Sequence, residues 1–73
     1  MHRDPDAELR HAAHALARAD ELVASQERRI EHLRASGQDS TIAEAMLRVL
    51  RQTQEVMRKN LESVEAEIIE RSE

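Results

Sequence analysis

The sequence predicts an all-α protein, an antiparallel helical hairpin of two long helices joined by a short glycine turn, which dimerises into a four-helix bundle. Three observations carry that expectation. The only glycine, Gly37, and the only proline, Pro5, leave two breaker-free stretches of about 30 residues, well above the usual helix length. Apolar residues in both stretches recur at alternating spacings of three and four, the period of a helix packed at a shallow angle on another. The apolar face of the second stretch is also wider than a single partner helix covers.

The first helix, about 5–35, has a clear start signal. Asp4 is a good N-cap, Pro5 suits the first helical position, and Asp6 and Glu8 fall where the positive end of the helix dipole favours acids. Leu9, Ala12, Leu16, Ala19, Val23, Gln26, Ile30 and Leu33 then form one unbroken seam, in which only Gln26 is polar. Leu16, Val23, Ile30 and Leu33 are its candidate core residues.

Gly37 follows the last seam residue, where a helix terminus calls for positive φ. The turn is placed at 36–40. Two caps for the next helix are available: Asp39 as N-cap, or a T-x-x-E capping box of Thr41 and Glu44. So short a connection makes the helices antiparallel neighbours.

The second helix, about 41–70, carries Leu47, Leu50, Gln54, Met57, Leu61, Val64 and Ile68 at seam spacing, with Leu47, Leu50, Met57, Leu61 and Val64 as candidate core. Ile42, Met46, Val49, Thr53 and Val56 widen the face and are the candidate dimer interface. Folding about Gly37 pairs Leu33 with Ile42, Ile30 with Met46, Ala19 with Val56 or Met57, and Ala12 with Val64. Small residues oppose large ones, and Met46, Leu50 and Met57 are expected inside a single hairpin.

A chain of 73 residues allows one domain, residues 1–73, with a thin core near the limit for independent folding. With no cysteine, disulfide staples and thiolate metal sites are excluded, and self-association is the remaining support. The charged N-terminus has no apolar h-region and no apolar run is long enough to span a bilayer, so a cytoplasmic protein is expected. The absence of aromatics removes stacking platforms for bases or sugars. A net charge of −4 with both signs interspersed gives no general attraction to nucleic acid or anionic lipid.

The run "RRIEHLRASGQDSTIAEAMLRVLRQTQEVMRKNL" resembles a family of short, uncharacterised bacterial proteins whose pattern is an Ile-rich first helix, a G-x-D-[ST] turn, then A-x-x-L-L and a charged second helix. The turn here is Gly37-Gln38-Asp39-Ser40, followed by Ala43 and by Met46-Leu47 at the paired apolar positions. The resemblance extends from about Leu22 to Leu61 and implies no particular activity. In architecture the chain also resembles the Rop-type RNA-binding dimer of hairpins, which recognises RNA through a basic face with an aromatic that this sequence does not supply.

Few residues suggest chemistry. Glu8 and His11 form an E-x-x-H on one helix face, which with Glu62 or Glu65 could build a di-metal carboxylate site in a dimer; Glu8 is equally a helix-start acid. His11, His14 and His32 fall mainly on the polar side of helix 1. Arg28, Arg29 and Arg34, with Arg48, Arg51, Arg58 and Lys59, could contact nucleic acid or rim an acidic partner, but Glu44–Arg48 and Glu55–Lys59 are i, i+4 pairs suited to solubilising a helix. Gln26, Gln54 and Asn60 could fix register or lie at the seam edge with their amides in water. With no phosphate loop and no Ser/His/Asp grouping, a non-enzyme without cofactor is expected. The expected function is a small self-associating module that binds another protein, as regulator or adaptor. The alternatives are a Rop-like nucleic-acid-binding dimer and a metal-binding bundle.

Overall fold

Asp4 opens the first helix: its carboxylate accepts from the Asp6 N–H at 3.0 Å, a donor with no helical carbonyl to reach, and its carbonyl takes the first helical bond, from the Glu8 N–H at 3.0 Å, while Pro5 has no donor to satisfy. The computed structural model describes residues 4–72, and among them forms α1 (Pro5–Ala35) and α2 (Thr41–Ser72) with no strand. The two pack against each other along their length as an antiparallel hairpin.

The end of α1 follows from Gly37. At φ +70° it turns the chain out of the helix, letting Gln38 N–H reach the Leu33 carbonyl at 2.8 Å and Gly37 N–H the Arg34 carbonyl at 3.1 Å. These bonds make a Schellman motif, and they satisfy carbonyls that the last turn would leave open.

The start of α2 combines parts of both expected caps. Ser40 gives the first helical carbonyl, bonded to Glu44 N–H at 2.8 Å, while Asp39 Oδ1 accepts from Thr41 N–H at 2.9 Å and Thr41 Oγ1 at 2.6 Å. These two bonds hold the exposed Asp39 carboxyl below the usual carboxylate range, the hydroxyl contributing most. The Thr41–Glu44 capping box does not form. Glu44 instead accepts from Ser40 Oγ at 3.1 Å and pairs with Arg34 of α1.

The seam of α1 is where the spacing places it: Ala12, Ala19, Val23, Gln26 and Ile30 are buried, and Leu9, Leu16 and Leu33 half-buried. On α2, Leu47, Leu50, Gln54, Met57, Leu61, Val64 and Ile68 are half-buried, and the one buried residue is Ala43. Three expectations need correction here. Met46 is 54% exposed rather than inside the hairpin, because Ala43 and Leu47 occupy the seam at that level. Ile42 is 79% exposed, so Leu33 does not cover it. Ile30 lines the inter-helix groove with Leu47 instead of Met46, whereas Ala12 shares a groove with Val64 and Ala19 with Met57, as the expected register has it.

Gln26 resolves its two possible roles in favour of register. It is only 9% exposed, and its Nε2 donates to the Ala43 carbonyl across the hairpin at 2.9 Å. A buried amide so bonded penalises any slip that would leave it unpaired. Gln54 is half-buried and donates to Asp20 at 2.7 Å, while Asn60 is exposed.

Candidate interaction surface

The molecule measures 56 × 20 × 14 Å, a layer little more than one helix thick. No large side chain among the described residues is fully enclosed. The accessible surface is 5902 Å², against about 4600 Å² for a compact monomer of this mass by the usual scaling. The excess is larger than the roughly 800 Å² that each partner hides in a standard interface.

The two long edges of the hairpin differ in chemistry. Along one, polar bonds span the helices: Asp20 accepts from Gln54, Glu27 meets Arg51 at 3.4 Å, and Glu44 meets Arg34. Near the turn a groove along this edge is lined by Glu27, Glu31, Arg34, Glu44, Arg48 and Arg51 around Ile30 and Leu47. The expected i, i+4 pattern is corrected: Glu44 bonds Arg34 across the hairpin rather than Arg48, and Glu55 pairs within α2 with Arg58 at i, i+3 rather than with Lys59. Each is exposed, so the set orders the edge more than it stabilises the fold.

The other edge is aliphatic. Ala15, Ala19 and Leu22 of α1 and Leu50, Thr53 and Met57 of α2 line a shallow groove of about 380 Å³, rimmed by His14 and Arg18. Beside it Ile42, Met46, Val49 and Val56 stand exposed at 79, 54, 60 and 60%, with Thr53 exposed between them. Every member of the candidate dimer interface therefore lies on one strip of α2 that α1 leaves open.

The charges of α2 keep clear of that strip. Glu44, Arg48, Arg51, Glu55, Arg58 and Glu62 repeat at alternating spacings of four and three, on a stripe of their own displaced from Ile42, Met46, Val49, Thr53 and Val56. From Thr41 to Met57 neither the exposed strip nor its flanking positions, Ala43, Ala45, Leu50 and Gln52, carry a charge. Solubility alone would scatter charge over every exposed position. A long exposed surface that is both aliphatic and uncharged is the chemistry of a protein contact.

The remaining candidates are placed as follows. Glu8 and His11 line a groove near the open end with Asn60, Ser63 and Glu67; the carboxylate there is thus Glu67, not the expected Glu62 or Glu65. Among the described residues no group of three or more His, Asp or Glu side chains could hold a metal ion. His11, His14 and His32 are exposed. The seam role of Ala43 was missed, although it sits four residues before Leu47 at seam spacing; its small side chain carries little hydropathic weight. No described helix is long and apolar enough to cross a membrane.

The fold and this surface define a two-helix hairpin with one aliphatic edge, uncharged along its α2 strip. The chain matches no protein-family model, no curated protein and no solved structure.

Proposed function

We propose that this protein is a self-associating helical interaction module that pairs with a second copy into a four-helix bundle and acts, as that pair, by binding another protein. The observation that carries the reading is the uncharged strip of Ile42, Met46, Val49 and Val56, each more than half exposed beside an apolar groove. Hiding it draws on the hydrophobic effect, at about 1–2 kcal/mol for each side chain so covered. The charged edge then faces outward on both copies and is left for the further partner, as a regulator or adaptor would need. With no cysteine in the chain, the pair would hold in the cytoplasm without any redox support.

A Rop-like reading receives less support from the same residues. Of its candidate cations, Arg34, Arg51 and Arg58 are matched to Glu44, Glu27 and Glu55, which weakens the basic face that phosphate would need.

The test is the double substitution Val49→Glu/Val56→Glu. Both sites are exposed in the single hairpin, so the change is tolerated there, but in the pair it sets four carboxylates in an apolar interface at several kcal/mol each. Light scattering is expected to show a dimer for the parent and a poorly folded monomer for the variant, with loss of far-ultraviolet circular dichroism. A variant that stays dimeric moves the interface off this strip.

A further inference from the structure

We infer that the further partner binds on the outer face of α1, beside the charged edge, and that it is an acidic helix carrying two groups of carboxylates with a base between them. This rests on the reading above in taking the partner to be a protein, and adds its place and its chemistry. The face lies within one hairpin, so it does not depend on the pairing of two copies.

The charges of α1 are sorted by side. Asp20 and Glu27 lie on the edge where polar bonds cross to α2, bonded to Gln54 and Arg51, and Glu31 lines the groove there. Asp6 and Glu8 sit in the first turn. The face turned away from the seam is cationic instead. Arg10, His14 and Arg18 follow one another at four-residue spacing toward the open end, and Arg28, Arg29 and His32 gather toward the turn, all of them exposed. Among the described residues none of these four arginines enters an ion pair, whereas Arg34, Arg51 and Arg58 each have one. A chain of net charge −4 thus keeps four unmatched arginines on one side of one helix. Solubility is served as well by mixed signs; a face of one sign, opposite to that of the chain, attracts an anionic partner.

The middle of the face decides which anion fits. Glu21 and Ser25 continue it between the two cationic groups, and both are exposed. The gap from Arg18 to Arg28 is about 15 Å of helix. A nucleic-acid backbone or an anionic lipid surface carries charge of a single sign and would set phosphate against the Glu21 carboxylate midway. The face also has no aromatic to stack a base and no Asn or Gln to read one. A polypeptide can alternate its signs, with a lysine or arginine over Glu21 and carboxylates to either side. A helix does so at matching intervals, because its residues four apart are separated by about 6 Å of rise, as are Arg10, His14 and Arg18. The contact is one of exposed charges, so it is screened by salt.

Two labelled helical peptides test this by fluorescence anisotropy at low salt. Both carry glutamates spaced to meet Arg10, His14 and Arg18 and again Arg28, Arg29 and His32; one has lysine at the position facing Glu21, the other glutamate. The lysine peptide is expected to bind the more tightly, to be released as salt is raised, and to resist displacement by a uridine oligonucleotide or phosphatidylserine vesicles at equal charge. Arg10→Glu/Arg28→Glu changes one cation of each group away from the aliphatic edge. It should weaken the lysine peptide about tenfold while leaving helix content and sedimenting mass as in the parent. Binding that survives this change, or no binding by the parent, would overturn the assignment of the face. Tighter binding of the glutamate peptide, or displacement by the oligonucleotide or the vesicles, would overturn the chemistry of the partner. A parent chain that binds the lysine peptide but sediments as a monomer would overturn self-association alone.

Discussion

Gly37 offers the cleanest separation of backbone from packing effects. Its φ of +70° lies in the left-handed region, and a Cβ placed there meets nothing within 4 Å. Any penalty for a side chain at this site is therefore backbone strain, without steric overlap. That strain is about 1–2 kcal/mol for an ordinary L-residue, offset by roughly 0.4–1 kcal/mol from the reduced freedom of the unfolded chain. Gly37→Ala should thus lose about 1 kcal/mol. Gly37→Asn should lose less, since Asn tolerates this region, and Gly37→Val about 2 kcal/mol or more, since a β-branched residue resists it. The Schellman bonds of Gly37 and Gln38 fail with the conformation, so the Val variant is also expected to favour a swapped, extended-helix assembly of higher mass. Urea denaturation followed by circular dichroism, at one fixed protein concentration, ranks the series, and light scattering gives the mass. Equal stability of the Gly, Ala and Val chains would refute the assigned turn.

Two further substitutions probe the seam and the cap. Gln26→Ala removes the bond to Ala43 and leaves space between the helices, so a loss of about 1–3 kcal/mol is expected in urea melts. Gln26→Leu fills the space and should change stability by less than about 1 kcal/mol, while faster amide exchange along the seam reports a loosened register. Asp39 acts on the acid side: its folded pKa is lowered, so its contribution is present above the unfolded value of about 3.9 and lost as pH falls through the folded value. Asp39→Asn should lower the melting temperature at neutral pH and reduce its further fall between about pH 4 and pH 2, read by thermal melts across that range.

What could be read from the chain was what local chemistry decides. Asp4 and Pro5 start α1, Gly37 ends it and Asp39 caps its successor, because each is fixed by φ or by a donor a few residues away. The seam of α1 could be read because spacing alone sets which face a residue occupies. The stagger between helices was less accessible. It decides that Gln26 meets the Ala43 carbonyl, and that Glu44 turns to Arg34 across the hairpin instead of Arg48 along it. These depend on offsets of a few ångströms between two elements, which no periodicity within one of them records. The aliphatic strip was legible as a widened face, but its separation from the charged stripe gained meaning only once the exposed edge of the hairpin was known.

Sedimentation equilibrium of the unmodified chain over nanomolar to high-micromolar concentration tests the central claim most directly. A single reversible transition is expected from the 8.4 kDa chain to twice that mass, with the dimer dominant at micromolar concentration. A folded chain that sediments at 8.4 kDa throughout would contradict it, and with it the role assigned to Ile42, Met46, Val49 and Val56.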